Sequence, residues 1–306
     1  MRRGEIVGPN MNKCESSPQR NILFFVTEMD AEVSGRGNDN ALRLPRAFAN
    51  QGWSVQIRPH ASLHLQRGSL FAEELDLANQ QLIWPIGFGP RAGFLDRAQL
   101  LSNLPQEKLI TPISELVLQH GKASWLDHCS ETFIHCDPAV LSSFVKGPGQ
   151  WVLKPLAGSY GRGVALLGDQ PREQIEAAMA KDPGSYFMVQ RYLAEVEAGE
   201  KRTLVAGGAV IGTYMRLPRN GLHANLSQQA ALAQATLSQS EQNLVSTLQD
   251  QLIRRRIGFA AIDTVGDTLI EVNIANPGGF GTLDDLYQRD HAQALVGALT
   301  RFAEIR

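Results

Sequence analysis

The stretch Asp263-Thr-Val-Gly-Asp-Thr-Leu-Ile-Glu-Val-Asn273 predicts a β-hairpin, because apolar residues flank the turn dipeptide Gly266-Asp267. Glu271 and Asn273 are two residues apart, so on a strand their side chains point to the same face. Asp263 lies within reach on the partner strand. Two carboxylates and one amide on one face form an oxygen set that Mg²⁺ accepts, with phosphate and water completing its coordination. The hairpin is therefore a candidate metal site.

An alternative for these acidic residues is that they are simply solvated, as acids on exposed strands usually are. The flanking residues 259–262 and 270–274 are mostly apolar, which indicates a buried sheet. Acidic side chains are seldom buried without a partner. The apolar flanks therefore favour the metal site over the solvated alternative.

Composition places the chain among soluble globular proteins, with 306 residues, 43% hydrophobic and 20% charged. This length is enough for two or three subdomains. The net charge of −2 and the pI of about 6.4 give no indication of nucleic acid or an anionic membrane as the main partner. No apolar run approaches the roughly 20 residues of a membrane span.

Three cysteines, Cys14, Cys129 and Cys136, form neither a disulfide framework nor a zinc motif. They are typical of reduced thiols in a cytoplasmic protein. The first 20 residues are polar and lack the apolar core of a signal peptide, so we expect a disordered tail. Met11 is an alternative start to Met1.

The first part of the chain predicts a β-α-β unit. Residues 21–27 form a continuous apolar run, typical of a buried parallel strand, and residues 40–50 have helical periodicity. Residues 53–57 predict the next strand, and residues 81–85 a further strand. We also expect a short strand at 109–114 before a helix, and a long helix over 234–256. The fold class is therefore α/β with a parallel sheet at the start.

A glycine-rich loop at 158–163, Gly-Ser-Tyr-Gly-Arg-Gly, lies between two predicted strands. Such a loop can fold over phosphates with its backbone N–H groups, although a flexible surface turn is the commoner explanation. Lys154 emerges from the apolar strand just before it, and burying a lysine is costly without an anion. One ligand would satisfy the loop, Lys154 and the Asp263–Asn273 hairpin together, namely a nucleoside triphosphate with Mg²⁺. Lys122 is a second cation in this half; taken alone, it would be a surface lysine.

An ordered series of segments resembles the bacterial glutathione synthetases of the ATP-grasp superfamily. The series covers roughly residues 105–300. It consists of Trp151-Val-Leu-Lys-Pro-Leu156, Tyr186-Phe-Met-Val-Gln-Arg-Tyr-Leu193, Gly199-Glu-Lys-Arg202, Arg216-Leu-Pro218, Asn225-Leu226 and Gly258 through Asn276-Pro-Gly-Gly279. The first 100 residues resemble the family only loosely, in the β-α-β start and Asn38-Asp-Asn-Ala41.

The resemblance implies an ATP-grasp fold preceded by a small parallel-sheet domain. It implies a tail at 1–20, a pre-ATP-grasp domain at 21–118, a lid subdomain at 119–185 and a C-terminal subdomain at 186–306. It also implies a ligase that uses ATP to convert a carboxylate into an acyl phosphate, which an amine then attacks. The cofactors would be ATP and Mg²⁺, in the form of two ions, with Mn²⁺ as an alternative. The partners would be a small acid and an amine, and the family often forms homo-oligomers.

The resemblance also implies roles for individual residues. Those expected to contact ATP are Lys122, Lys154, the loop residues Gly158, Ser159, Tyr160, Gly161 and Gly163, the hinge Gln190, Arg191, Tyr192 and Leu193, and Glu200 at the ribose. Those expected at the reacting phosphoryl and carboxylate groups are Arg202, Arg216 and Asn225. Those expected to hold the metal ions are Asp263, Glu271 and Asn273. Those expected at the acceptor carboxylate are Asn276, Pro277, Gly278 and Gly279.

One segment departs from the family. Where the usual enzyme carries an Arg-Lys-Asp-Pro-Pro run, this chain has Trp84-Pro-Ile-Gly-Phe-Gly-Pro-Arg91. Arg91 would replace part of the lost charge. We expect glutathione synthetase activity, joining γ-glutamylcysteine to glycine. The alternatives are a ligase for another amino acid or peptide-like acid, and a non-catalytic nucleotide-binding regulatory protein.

Overall fold

The computed structural model describes residues 20–27, 39–157, 163–218 and 231–305. The first sheet is parallel and has the order β2-β1-β6, formed by β1 (Asn21–Val26), β2 (Ser54–Pro59) and β6 (Leu82–Pro85). Helix α1 (Asn40–Asn50) connects β1 to β2 and contains Pro45 in its interior. The apolar residues of β1 are nearly all buried, because a central parallel strand is covered on both faces. The predicted β-α-β start is confirmed.

A small antiparallel sheet follows β2, made of β3 (Leu63–Gln66), β4 (Ser69–Ala72) and β5 (Leu75–Asp76). Helices α2 (Phe94–Leu101) and α3 (Ile113–Gln119) complete this part. The strand predicted at 109–114 is wrong, because Leu109 makes only an isolated bridge to Ile83. Pro112 occupies the N-cap position of α3, so the chain turns into a helix where a strand was expected.

The second sheet is antiparallel, with the order β7-β10-β8-β9. Its strands are β7 (Thr132–His135), β8 (Trp151–Pro155), β9 (Ala165–Leu167) and β10 (Phe187–Arg191). Helices α4 (Pro138–Ser143) and α5 (Pro171–Met179) pack on one face, around Leu141, Trp151, Leu153 and Ile175. We call this unit the lid sheet. The predicted boundary between 185 and 186 cuts it, because β10 lies between β7 and β8.

The third sheet is antiparallel and has five strands in the order β13-β12-β11-β14-β15. They are β11 (Glu200–Ala206), β12 (Ala209–Leu217), β13 (Ala231–Gln234), β14 (Phe259–Val265) and β15 (Thr268–Asn273). The hairpin β14–β15 and the turn at Gly207-Gly208 are confirmed; both glycines have positive φ, which favours glycine.

Three helices surround the third sheet, α6 (Gln239–Arg254), α7 (Phe280–Tyr287) and α8 (Ala292–Glu304). Helix α6 covers one face with Val245, Leu248 and Leu252. The other face packs on α7, α8 and the first sheet. The prediction that a helix begins at 234 is wrong: residues 231–234 form β13, and the helix begins after Ser238, which forms a capping box with Glu241. No helix among the described residues has the length and apolar content to cross a bilayer.

Candidate active site

Four polar residues stand opposite one another across the third sheet. Register pairs Tyr214 with Arg202, Arg202 with Asp263, and Asp263 with Glu271. Cross-strand partners project to the same face, so these side chains form one line across four strands. We call Tyr214, Arg202, Asp263 and Glu271 the charge row. Asn273 pairs with Ala261, two residues before Asp263, so the geometry predicted for the three metal candidates is present.

Asp263 is the centre of the charge row and is 1% exposed. Arg202 donates from Nε to Asp263 Oδ1 at 2.8 Å and from Nη2 to Oδ2 at 2.6 Å. Arg216 donates from Nη2 to the same Oδ2 at 2.6 Å. Burial alone would raise the pKa of Asp263, but the two guanidinium groups hold it below its usual value. Asp263 therefore stays ionised and fixes both arginines side by side.

Glu200 shares Arg216 with Asp263 and is completely buried. Burial raises the pKa of Glu200 to about 7, although Arg216 opposes the shift. Its register partner is Arg216 on β12, and this pair lies two residues along each strand from the Arg202–Tyr214 pair of the charge row. In the structure Glu200 is thus a buried partner of Arg216, and a contact with ribose would require access to a side chain that is 0% exposed.

Glu271 and Asn273, near the end of β15, are partly exposed, whereas Asp263 is buried. Asn273 Oδ1 is a buried acceptor without a hydrogen-bond partner among the described residues. An orphaned acceptor beside a carboxylate fits a divalent cation. Both oxygens of Asp263, by contrast, already accept from guanidinium groups. In the part of the chain that the structure describes, no three His, Cys, Asp or Glu side chains cluster as a metal site, so phosphate oxygens would have to complete the coordination.

Two lysines interact electrostatically with Glu271, Lys154 from the lid sheet and Lys122 from the segment after α3. Lys154, on β8, donates from Nζ to Gln190 Oε1 at 2.6 Å. Lys122, after α3, donates from Nζ to the carbonyl of Leu156 at 3.4 Å. Burial lowers the pKa of both lysines, and the charge of Glu271 opposes that shift. The structure thus brings the two lysines predicted at the phosphates to the predicted metal carboxylate.

The end of β10, where the predicted hinge begins, has side chains on both faces of the lid sheet. Gln190 lies on the Lys154 face, whereas Arg191 pairs with Trp151 and its guanidinium lies 4.1 Å from the centre of that ring. Arg191 also donates to Glu131 and to two carbonyls of the 146–149 loop. Only the backbone of Arg191 is therefore placed for a nucleotide on the Lys154 face. The Tyr192 hydroxyl donates to Glu197, and Leu193 precedes a short 3-10 helix.

The loop predicted at the acceptor carboxylate is anchored from two sides. Arg202 donates from Nη1 to the carbonyl of Gly278 at 3.1 Å. Asn40, at the start of α1, donates from Nδ2 to Asn276 Oδ1 and to the carbonyl of Pro277, both at 2.8 Å. Gly279 has a φ of +112° and packs against the Tyr214 hydroxyl, where a Cβ would clash.

The first sheet also reaches this loop, because the Gly87 N–H donates to the carbonyl of Ala275 at 2.8 Å. The sequence did not single out Asn40 or Gly87 as functional. The only signals were the loose family similarity of residues 38–41 and the position of Gly87 in the segment 84–91, which departs from the family. Their partners lie about 190 or more residues away along the chain.

The segment that departs from the family contributes packing at its start. Trp84 is 5% and Ile86 is 4% exposed, and Trp84 contacts Phe24 and Phe259 in the core. Arg97 holds the following turn by donating to the carbonyls of Phe88, Pro90 and Ala92. Arg91 is exposed.

Some predicted residues lie outside the described residues, namely Gly158, Ser159, Tyr160, Gly161 and Asn225. Gly163 is described and has a φ of +74°, and a Cβ there would approach the Pro155 ring to 3.1 Å. The end of the glycine-rich segment is therefore packed closely against the end of β8.

The fold and the site together define an ATP-grasp protein, in which Lys154 of the lid sheet and Lys122 after α3 interact with Glu271 of the third sheet. The family model described as "Prokaryotic glutathione synthetase, ATP-grasp domain" matches residues 121–288, more than half of the chain. The chain belongs to this family. ATP-grasp enzymes use ATP and a divalent cation, generally Mg²⁺.

Relatives by sequence include two glutathione synthetases. The protein of Neisseria meningitidis serogroup A is 33% identical over 154 residues, covering 49% of this chain and 48% of the relative. The protein of Synechocystis sp. is 30% identical over 161 residues, covering 51% and 49%. The chain thus spans about half the length of the curated relatives it matches.

Solved structures with this fold cover nearly the whole chain. The ATP-grasp ligase PsnB, complexed with a minimal precursor, has a TM-score of 0.67 and 14% identity, covering 92% of this chain and 98% of that chain. D-cycloserine synthetase DcsG has a TM-score of 0.65 and 15% identity, covering 91% and 99%. These similarities establish the fold over both the first domain and the ATP-grasp part.

Proposed function

We propose that the protein is a glutathione synthetase, which joins γ-glutamylcysteine to glycine and converts ATP to ADP and phosphate. A carboxylate oxygen of the acid attacks the γ-phosphorus of ATP, and ADP leaves. The glycine amine then attacks the acyl carbon, loses a proton, and phosphate leaves as the amide bond forms. The observation that carries the proposal is the fixation of Arg202 and Arg216 side by side on Asp263, next to Glu271.

The two arginines suit this reaction because both steps develop negative charge on oxygen. Preorganised guanidinium groups stabilise such charge without reorganising during the reaction. Asp263 orients them, and Arg202 also contacts the carbonyl of Gly278 in the acceptor loop. We assign Arg202 and Arg216, together with Asn225, to the reacting phosphoryl and carboxylate groups.

The nucleotide would lie between the lid sheet and the third sheet. Lys122 and Lys154 would contact its phosphates, the loop 158–163 would cover them, and the backbone of Gln190–Leu193 would hold adenine. The buried Glu200 would act through Arg216 rather than contact the ribose. Glu271 and Asn273 would hold two Mg²⁺ ions, with Mn²⁺ as an alternative, whereas both oxygens of Asp263 stay on Arg202 and Arg216. Such ions neutralise phosphate charge when bound.

The acceptor would lie against residues 276–279, where the backbone and Arg202 can receive a carboxylate. Asn40 supports this site from the first domain by fixing Asn276 and Pro277. We further propose that the substrates are small molecules only, and that the protein works in the cytoplasm as a monomer or homo-oligomer.

The test is phosphate release from ATP and Mg²⁺ with γ-glutamylcysteine, in the presence and absence of glycine. Release that requires both substrates, with glutathione as the product, supports the proposal. A protein that binds ADP but releases no phosphate from ATP when both γ-glutamylcysteine and glycine are present would contradict glutathione synthesis. A screen of other acids and amines would then follow.

A second candidate is a ligase for another amino acid or a peptide-like acid. It is favoured by the burial of Trp84 and Ile86, because the segment that carries charge in the family here fills the core. Several solved structures with this fold are described as complexes with precursor peptides, a similarity that concerns the fold alone. An Arg91→Ala variant tests whether Arg91 binds the acid. A raised KM for γ-glutamylcysteine supports the first candidate, and an unchanged KM removes Arg91 from the substrate site. Arg46→Ala, another exposed arginine, is the control.

A further inference from the structure

Lys154 ends a directed chain of hydrogen bonds across the lid sheet. Its Nζ donates to Gln190 Oε1 at 2.6 Å. Gln190 donates from Nε2 to Thr132 Oγ1 at 2.8 Å, and the Thr132 hydroxyl donates to the carbonyl of Ser130 at 2.7 Å. We call these four residues the lysine relay. It crosses β8, β10 and β7 on the face that Lys154 shares with Gln190.

The direction of the lysine relay is fixed from both ends. An ammonium group only donates, so Gln190 must turn its oxygen towards Lys154 and its NH₂ towards Thr132. The carbonyl of Ser130 only accepts, so the Thr132 hydroxyl must donate its hydrogen bond there and accept one from Gln190. No amide flip or hydroxyl rotation satisfies all members otherwise. Gln190 is 5% exposed, so water has little access to replace a lost partner.

The partner that holds Lys154 is neutral, and this matters for an anion site. A carboxylate at position 190 would pair with the ammonium and compete with an incoming phosphate. The amide oxygen uses one of the three ammonium donors and leaves the full positive charge in place. The segment before β7 also supports the hinge, because the Ser130 hydroxyl donates to the carbonyl of Arg191 at 2.9 Å.

We propose that Thr132 is a positioning residue for nucleotide binding, which acts through Gln190 to hold the Lys154 ammonium at the phosphates. The inference rests on the proposed function, because it takes Lys154 as a phosphate contact. Thr132 lies within the region of the family match, yet no sequence pattern selects it. Its partner Gln190 lies 58 residues further along the chain.

The test measures the affinities of adenosine and ADP for the wild type and four variants by calorimetry. Thr132→Val keeps the shape of the side chain and removes the hydroxyl, and Thr132→Ser restores the hydroxyl. Gln190→Glu makes the acceptor a carboxylate. Thr203→Val is the matched control, since it removes a hydroxyl from the buried cross-strand pair Thr203–Thr213 in the other sheet.

For Thr132→Val we expect ADP affinity to fall about three- to tenfold, the range that one hydrogen bond is worth, with adenosine affinity unchanged. Thr132→Ser and Thr203→Val should bind ADP like the wild type. Gln190→Glu should lose more ADP affinity than Thr132→Val, because charge-assisted bonds are roughly twice as strong as neutral ones.

Three results would overturn the inference. Thr132→Val could bind ADP as the wild type does, it could lose adenosine and ADP affinity in parallel, or Gln190→Glu could leave ADP affinity unchanged. A wild-type protein that binds no ADP would overturn the proposed function as well. Wild-type binding with unaffected variants would overturn only the role of Thr132.

Discussion

The charge row of the third sheet and the lysine relay of the lid sheet treat buried charge in opposite ways. In the charge row, Asp263 is paired with two guanidinium groups and Glu200 with one of them. In the lysine relay, the Lys154 ammonium donates to the neutral amide oxygen of Gln190. A carboxylate fixed by arginines is already neutralised, whereas an ammonium on an amide keeps its charge for an incoming anion. The charges of the charge row are therefore paired with one another before any ligand binds, whereas the Lys154 ammonium can form an ion pair with an incoming anion.

The largest effect is expected for Asp263→Asn. The change leaves two buried guanidinium groups without their carboxylate, and breaking such a buried pair costs about 3–5 kcal/mol of stability. Turnover should also be lost, because the arginines lose their orientation. Calorimetric unfolding and phosphate release measure the two effects. The control is Asp267→Asn in the exposed turn of the same hairpin, which should stay within about 0.5 kcal/mol. An Asp263→Asn protein as stable as the wild type would refute the role of Asp263 in holding Arg202 and Arg216.

Glu271→Gln probes the residue where the two regions meet. It is partly exposed and faces both lysines, so we expect folding to survive. The Mg²⁺ concentration needed for half-maximal nucleotide binding should rise roughly 10–100-fold, the range found for residues around metal sites. A titration of Mg²⁺ at fixed ADP measures it, with Asp267→Asn again as the control. An unchanged Mg²⁺ requirement would remove Glu271 from the metal site.

Lys154→Met tests the other half of the comparison. Its removal relieves the burial of a charge but leaves Gln190 Oε1 without its donor, so the loss of stability should stay well below that of Asp263→Asn. ADP affinity should fall about 10–150-fold, the value of a charge-assisted hydrogen bond. Lys181→Met, at an exposed lysine after α5, is the control. A loss of stability as large as that of Asp263→Asn would erase the distinction between the two regions.

Glu200→Gln gives the smallest expected effect, on the pH dependence of stability. Burial raises the pKa of Glu200 to about 7 from an ordinary value of 4.5. Its contribution to stability is therefore full below about pH 4.5 and is lost as the pH rises through about 7. The wild type should lose more stability between pH 5 and pH 8 than the variant does. Unfolding temperatures across that range measure the difference, and parallel curves for the two proteins would contradict the assignment.

The sequence predicts those parts of the site that depend on alternation within neighbouring strands. Glu271 and Asn273 share a face because they are two residues apart, and Asp263 is opposite because a short turn joins the strands. The parallel start follows from the apolar run of β1. These features are local, and the structure confirms them.

The remainder depends on contacts between distant segments. Arg202 meets Asp263 from 61 residues away, Gln190 meets Thr132 from 58, and Asn40 meets Asn276 from 236. The periodicity of a sequence describes local structure and does not indicate which distant segments come into contact. Likewise, the predicted subdomain boundary between 185 and 186 assigns β10 to the C-terminal subdomain, yet the two edges of β10 pair with β7 and β8.

The most direct test of the account is to trap the activated carboxylate. The protein would be incubated with ATP, Mg²⁺ and hydroxylamine, using γ-glutamylcysteine and a panel of amino-acid and short-peptide acids, with Glu271→Gln alongside. An acyl phosphate predicts a hydroxamate of one acid, formed in equal amount with ADP by the wild type and absent from the variant. ADP binding of ordinary strength with no hydroxamate from any acid would contradict carboxylate activation at this site.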